Sequence, residues 1–111
     1  GKSGGARAVT AWEGLLGLCA RARRVALGEG AALSCLREGT AKLVLLDESA
    51  SENARKRFRD ACQHRGVPLR ELPAGHLGRL CGRPGRMTAA VTDPGFSERI
   101  LALLDTQNTP D

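Results

Sequence analysis

Two glycine-containing turns with arginines nearby are the positions at which this sequence is best suited to bind a ligand. The first turn, Gly28-Glu29-Gly30, follows a basic stretch that contains Arg21, Arg23 and Arg24. Paired glycines allow a backbone to approach a ligand closely, and the free N–H groups at the start of a helix favour anions. Nearby guanidinium groups would strengthen such a site for a phosphate backbone. The alternative is an ordinary tight turn beside a solvated basic helix end.

The second turn is the loop Gly82-Arg83-Pro84-Gly85-Arg86, which follows Arg79. Its glycines and proline predict a loop, and its arginines make that loop cationic. Loops gathered at one end of an α/β sheet can form a joint surface, so this loop and the first turn are expected to lie together. The alternative is a mobile charged loop without a ligand.

A third group of basic residues is interpreted as a solvated helix face. Arg55, Lys56, Arg57 and Arg59 surround an inward Phe58 at helical spacing, so they decorate the outer side of a helix. Glu52 and Lys56 also form a favourable i, i+4 pair.

The residue types that perform catalysis do not form a recognisable set. We considered the following candidates: His64, His76, Asp47, Asp60, Ser49 and Ser51. They do not stand in a Ser/His/Asp or Cys/His motif, and their spacing does not suit a metal ion. Asp47 and Glu48 are interpreted as the end of a strand and the segment that leads to the next helix, and not as an acid/base pair. The sequence therefore predicts no enzymatic activity, no cofactor and no metal site.

Length and charge favour a single nucleic-acid-binding domain. The chain has 111 residues, which fits one domain with its own core, and a formal net charge of +5. Most of its basic residues are arginines, whose planar side chain suits phosphate and guanine edges. Aromatic residues are only 3% of the chain, which argues against a base-stacking platform.

Cysteine usage predicts a reducing, cytoplasmic location. Cys19, Cys35, Cys62 and Cys81 are separated by 16, 27 and 19 positions, which gives no zinc-binding pattern. Three of them fall on apolar helical stripes, as buried reduced thiols do. The apolar run of residues 43–46 is too short to cross a membrane.

Strands and helices are expected to alternate through a domain of residues 10–105. Residues 1–9 are interpreted as a flexible basic arm or tag remnant, and residues 106–111 are interpreted as a polar tail. The first helix is expected to bury Ala11, Leu15, Leu18, Cys19 and Ala22. Helices are also expected after Gly28, after Ser49 or Ser51, near residues 75–80 and after Asp93.

Four strands complete the expected fold. They are predicted at residues 24–27, 42–46, 67–69 and 87–91, with the apolar second strand in the centre of the sheet. The alternation predicts an α/β fold, a three-layer α/β/α sandwich with a mixed, roughly four-stranded sheet.

Several strings resemble a known family over residues 12–104. The segments are LGLCARARRVALGEG, LREGTAKLVLLDESASENARKRFRDACQHRGVPL and LGRLCGRPGRMTAAVTDPGF. They resemble the kink-turn RNA-binding ribosomal-protein superfamily, the L-seven-Ae and L-thirty-e group, and within it the bacterial YlxQ-type branch. The resemblance implies the same sandwich, with an RNA surface on the loops at one end.

The resemblance also implies a specificity different from that of the kink-turn binders. Their second helix starts with a Gly-x-Asn-Glu-x-x-Lys-like motif that reads tandem sheared G·A pairs. In this chain the glycine is matched by Gly28, but Gly30, Ala31 and Ser34 stand where the family has Asn, Glu and Lys. The family's second contact loop falls on residues 80–86, which here are rich in arginine.

The expected function is therefore binding of structured ribosomal RNA by a monomeric protein that does not bind membranes. The surface would join residues 21–34 with residues 79–86, with Glu29 accepting from a base edge. A footprint of about five or six phosphates gives log affinity against log salt a slope of roughly −4 to −5. The resemblance also suggests ribosome, transcription or translation factors as partners. The alternative is a protein-interaction adaptor that uses the basic face around Arg55 and Arg59.

Overall fold

The structure, a computed structural model, describes residues 11–107. The N-terminal arm expected for residues 1–9, Thr10 and residues 108–111 of the expected tail lie outside the described residues. The helices are α1 (Ala11–Arg21), α2 (Glu29–Glu38), α3 (Glu52–Arg65), α4 (His76–Leu80) and α5 (Pro94–Gln107). The strands are β1 (Val25–Leu27), β2 (Leu43–Asp47), β3 (Leu69–Leu72) and β4 (Thr88–Val91).

The four strands form one mixed sheet in the order β1-β4-β2-β3. β4 runs antiparallel to both β1 and β2, whereas β2 and β3 are parallel and are connected through α3. All five residues of β2 are buried, as expected for a continuously apolar strand inside a sheet. The predicted α/β class and mixed four-stranded sheet are confirmed.

Helices cover both faces of the sheet, and the alternation of side chains along β2 separates two cores. Leu43 and Leu45 face the core that contains the buried residues of α1, α4 and α5. Val44 and Leu46 face the core built with α2 and α3, in which Phe58 is fully buried. This division confirms the three-layer sandwich. Within residues 11–107, no helix has the length and apolar character needed to cross a bilayer.

Local signals in the sequence set where several helices begin and end. The Ser51 hydroxyl accepts from the Ala54 N–H and caps α3, and the Asp93 carboxylate accepts from the Phe96 N–H at the start of α5. α2 and α3 end at Gly39 and Gly66, which have φ angles of 79° and 70°. Glycine adopts this left-handed conformation without a steric penalty, so these two helices stop where the sequence predicts.

The buried face of α1 differs from the expected one. Trp12, Leu16 and Cys19 are buried, whereas Leu18 is 49% exposed and Ala11 and Ala22 are also exposed. α1 is apolar around most of its circumference, so helical periodicity alone is compatible with more than one inward face. The face that contains the larger Trp12 packs inward, where the indole stacks on His76.

Several element boundaries also differ from the sequence expectation, and β3 differs at both ends, because it was predicted over residues 67–69 and spans Leu69–Leu72. β3 starts at Leu69 and not at Val67, because Pro68 has no N–H and only its carbonyl joins the ladder, where it accepts from the Val44 N–H. β3 is an edge strand of the sheet, a position that tolerates a neighbouring proline. At the other end of the domain, α5 continues to Gln107, so residues 106 and 107 are helical although they were assigned to the tail.

Candidate functional site

The turn between β1 and α2 exposes the start of a helix. Gly28 has a φ of 101°, which glycine tolerates, and its N–H donates to the carbonyl of Thr88 at 2.8 Å. Its own carbonyl accepts from the Ala32 N–H, which closes the first turn of α2. Within the described part of the chain, no side chain caps this helix, and Glu29, Gly30 and Ala31 are exposed. Their N–H groups point out of the helix start, where an anion is stabilised.

Residues 82–87, which we call the arginine loop, connect α4 to β4. Arg83 donates its N–H to the carbonyl of Gly78 at 2.8 Å, and Arg86 donates to the carbonyl of Arg83 at 3.2 Å. Gly82 and Gly85 have φ angles of 70° and 91°, which allow the chain to turn sharply at both places. All six residues of the loop are exposed. The loop is therefore folded by its own backbone hydrogen bonds while its arginine side chains reach solvent.

The arginine loop and the β1–α2 turn meet at one end of the sheet. The antiparallel register pairs Leu27 with Ala89, so Gly28 lies beside Thr88, the first residue of β4 after the arginine loop. A β-carbon placed on Gly28 would lie 3.5 Å from Nη1 of Arg86. The guanidinium of Arg86 is therefore next to the exposed helix start. We call the combination of residues 28–31 and the arginine loop the α2–loop surface.

Arg79 borders this surface from α4. With Arg86 and Met87 it lines a shallow groove that passes over Gly75 and Gly78. Nη2 of Arg79 lies 3.6 Å from the Oε2 of Glu13, whose side chain is largely buried. Nε2 of His76 lies 3.2 Å from the same oxygen. Glu13 on α1 thus holds α4 in place, and α4 in turn positions the arginine loop.

A buried carboxylate forms the floor of the groove. Asp47, at the end of β2, accepts from the N–H and hydroxyl of Ser49 at 2.8 and 2.6 Å and from the N–H of Gly75 at 2.7 Å. Burial acts to raise the pKa of Asp47, but the hydrogen bonds from Ser49 and Gly75 outweigh it and lower the pKa below the ordinary value. These bonds favour the ionised carboxylate, and through them Asp47 positions the loop between β3 and α4.

Glu29 has a partner that sequence reasoning missed. Its Oε1 lies 3.1 Å from Nη1 of Arg57 on α3, and both side chains are about half exposed. Arg57 was assigned to a solvated helix face, because only the packing of α2 against α3 brings it to the start of α2. The pair offsets the negative charge of Glu29 at the surface. The only signal for this contact in the sequence is an arginine on the helix that follows the predicted site. Such arginines are too common to identify a contact.

The remaining arginines of the expected site lie away from the helix start. Arg24 lies at the opposite end of β1 from Gly28, where its carbonyl accepts from the N–H of Thr92. Arg21 is exposed in the last turn of α1. Arg23 lines a separate groove beside β1, together with Arg83 of the arginine loop.

Ser34 lies one turn further along α2 and is half-buried. Its hydroxyl accepts from Nη2 of Arg37 at 3.2 Å. The structure thus brings together Gly28, Glu29, Gly30, Ala31, Arg79, Arg83 and Arg86, and places Ser34 at the border. Arg21 and Arg24 are not part of this group.

Metal and thiol chemistry have no assembled site in the part of the chain that the structure describes. Among residues 11–107, His, Cys, Asp and Glu do not form a group of three that could hold a metal ion. All four cysteines are free thiols. Burial raises the pKa of Cys19, Cys62 and Cys81 to about 11, so these thiols stay protonated near neutral pH.

Taken together, the fold and the site define a small α/β/α sandwich with an arginine-rich surface at one end of its sheet. The chain belongs to the Ribosomal protein L7Ae/L30e/S12e/Gadd45 family, which it matches over residues 10–101. It is 43% identical over 95 residues to the RNA-binding protein YlxQ of Bacillus subtilis (strain 168), a match that covers 85% of this chain and 95% of that protein. The resemblance stated from the sequence is confirmed.

Solved structures agree with this membership. A protein of unknown function from Bacillus halodurans C superimposes with a TM-score of 0.84 at 34% identity, covering 87% of this chain and 99% of that one. The 15.5kD RNA binding protein of Giardia lamblia superimposes with a TM-score of 0.71 at 21% identity, covering 88% and 92%. The second likeness shows a shared fold.

Proposed function

We propose that this chain binds structured RNA through the α2–loop surface. The observation that supports this most directly is the position of Arg86, whose Nη1 would lie 3.5 Å from a β-carbon on Gly28 at the exposed start of α2. Backbone N–H groups and a guanidinium side by side form two kinds of donor for the same phosphate. The relative named an RNA-binding protein supports the same class of ligand. The proposal is a binding function and not a catalytic one.

The composition of the helix start favours recognition of RNA shape and backbone over a fixed base motif. Gly30 and Ala31 have no side chain that reaches a base edge, and the hydroxyl of Ser34 is engaged by Arg37. Glu29 remains able to accept from a base edge, although Arg57 competes for its carboxylate. We therefore propose weak discrimination between a kink-turn with sheared G·A pairs and other bent RNA helices.

The biological setting that we propose is ribosome-, translation- or transcription-linked and cytoplasmic, with the chain acting as a monomer. Membership of a ribosomal-protein family supports the first part. Four free thiols fit a reducing compartment. Ribosomal RNA is accordingly the first class of ligand to test.

Replacement of Arg86 tests the proposed surface. RNA affinity of the wild type is measured at several salt concentrations on a kink-turn hairpin and on a ribosomal RNA fragment. We expect a log–log salt slope of roughly −4 to −5, from about five or six neutralised phosphates. Arg86→Ala is expected to weaken binding to both RNAs and to make the slope shallower by about 1.

Arg59→Ala is the matched control. Arg59 is exposed on α3, so its replacement removes the same charge from the chain at a position outside the α2–loop surface. We expect it to leave RNA affinity nearly unchanged. Equal losses in the two variants would show that net charge alone drives binding. A flat salt response of the wild type would contradict RNA binding itself.

A further inference from the structure

The end of α1 contains an arginine at a position where helices favour glycine. Arg23 has a φ of 60°, the one non-glycine residue among residues 11–107 with a positive φ. Its N–H donates to the carbonyl of Ala20, and the N–H of Arg24 donates to the carbonyl of Cys19, both at 3.0 Å. These two bonds form a Schellman motif with Arg23 at its left-handed position.

The same chain uses glycine at this position in two other helices. α2 ends at Gly39 and α3 at Gly66, each with a left-handed φ and with backbone bonds to the preceding turn. Side chains with a β-carbon are strained in this conformation, so glycine at position 23 would give a more stable helix end. Backbone strain of this kind persists where the side chain has a further role.

The side chain of Arg23 lines a groove that has a second arginine on its other side. Arg23 and Arg83 line this groove together with Ala20, Val25, Leu27 and Cys81. Both arginines are exposed, and among the described residues neither forms an ion pair. Within residues 11–107, no carboxylate lines the groove. By contrast, Arg55, Arg57, Arg70 and Arg79 are each within 4 Å of an acidic side chain.

We propose that the groove between Arg23 and Arg83 binds a second stretch of the sugar–phosphate backbone of the same RNA. This inference rests on the proposed function, because Arg83 belongs to the arginine loop and makes the groove continuous with the α2–loop surface. Two exposed guanidiniums that form no ion pair with any of the described residues complement a polyanion. β1, which separates the groove's Arg23 end from Gly28, has three residues and is about 10 Å long.

The strained position of Arg23 allows a test in which stability and binding change in opposite directions. Arg23→Gly relieves the left-handed conformation, so we expect its Tm to rise by about 4 °C. The same variant loses a phosphate contact, so its RNA affinity is expected to fall about fivefold and its salt slope to become shallower by about 1. A residue with only a structural role would not combine greater stability with weaker binding. Arg83→Ala is expected to weaken binding similarly, with little change in Tm.

Trimming the RNA identifies the stretch that lies in the groove. Three base pairs are removed from each end of the bound hairpin stem in turn. We expect one of the two trimmed RNAs to bind wild type and Arg23→Gly equally, because the phosphates that contact Arg23 are gone. Arg86→Ala is expected to remain weaker than wild type on that trimmed RNA.

The outcomes separate this inference from the proposed function. If Arg23→Gly binds the full hairpin as tightly as wild type while Arg86→Ala does not, the groove inference is wrong and the α2–loop surface stands. If the wild type shows no salt-dependent RNA binding, both are wrong. Polyglutamate serves as the probe for an acidic protein partner. If polyglutamate binds the wild type but not the two groove variants, and the RNA affinity of those variants is unchanged, the groove inference is wrong and the ligand of the groove is a protein.

Discussion

At the scale of single residues, Asp47 connects the centre of the sheet to the edge of the candidate site. Its carboxylate is 2% exposed and accepts three hydrogen bonds, from the hydroxyl and N–H of Ser49 and from the N–H of Gly75. The neighbouring Glu48 accepts from the N–H of Ala74 at 3.1 Å. Two adjacent acidic residues therefore fix the segment that leads into α4. This is a structural use of carboxylates that face the site.

Asp47 should make the stability of the protein depend on acid pH. Its folded-state pKa is lowered below that of the unfolded chain, which is about 4. Its contribution is therefore complete above about pH 5 and is lost as the pH falls through the folded-state value. We expect the free energy of unfolding to decrease from pH 5 to pH 3. Asp47→Asn should lower it by about 2 kcal/mol at pH 7 and by much less at pH 3.

Urea denaturation at each pH measures this effect, and Asp60→Asn is the control. Asp60 is exposed on α3, so its amide variant should follow the wild-type curve. Identical acid sensitivity of Asp47→Asn and wild type would show that other carboxylates control the transition.

The sequence indicated the candidate-site residues that lie in short turns. It did not indicate those that only tertiary packing places beside them. Gly28 and Arg86 were identified because glycine and arginine in short turns have a recognisable local role. The contact between Glu29 and Arg57 was not, because it joins residues 28 positions apart on separate helices. Arg24 was placed with Gly28 because the two are near in sequence. A three-residue strand separates them in space.

At the scale of elements, close packing of α4 against the arginine loop determines where the loop's side chains lie. Gly78 is buried on α4, and a β-carbon there would lie 2.9 Å from the carbonyl oxygen of Arg83 and 3.3 Å from the nitrogen of Gly85. Real β-carbons do not approach backbone atoms so closely. The absence of a side chain at Gly78 thus permits the observed position of the loop.

Gly78→Ala should therefore displace the arginine loop. We expect a loss of about 1–3 kcal/mol in the free energy of unfolding, as for other overpacked positions, together with weaker RNA binding. Gly14→Ala is the matched control, since a β-carbon on that helical glycine would meet no atom within 4 Å. The control should gain up to about 1 kcal/mol and bind RNA as the wild type does. Unchanged RNA affinity in a folded Gly78→Ala variant would contradict the role of this contact.

The elements themselves were largely predictable, and their exceptions have physical causes. Strong local signals, such as the Ser51 cap and the apolar run of β2, gave the correct element types. The inward face of α1 was wrong, because several faces of an apolar helix satisfy the same periodicity. The predicted start of β3 was wrong by two residues. The sequence shows a proline there, but it does not show which strand will pair with β3.

At the scale of the whole molecule, the buried thiols should limit stability in alkali. Burial raises the pKa of Cys19, Cys62 and Cys81 to about 11, above the unfolded-state value near 9. Because the folded-state pKa is higher, the stabilisation is complete below about pH 8.5 and is lost as the pH rises towards 11. The chain has no tyrosine and three lysines, so few other groups titrate in this range.

Denaturation at pH 8 and pH 10.5 checks this expectation. The free energy of unfolding should be lower at pH 10.5, with reducing agent present at both values to exclude oxidation. Cys62→Ala should show a smaller decrease between the two pH values, although the variant is less stable overall because it leaves a cavity. Equal stability of the wild type at both pH values would rule out a thiol contribution.

The pairing of β1 with β4 has a consequence for how the protein is made. Leu27 pairs with Ala89, so the strand that leads into the helix start closes against one of the last strands of the chain. Closing so long a loop is entropically costly, and during synthesis it must wait until β4 has left the ribosome. A nascent chain therefore lacks the finished α2–loop surface. The proposed capture of RNA at this surface requires the completed fold.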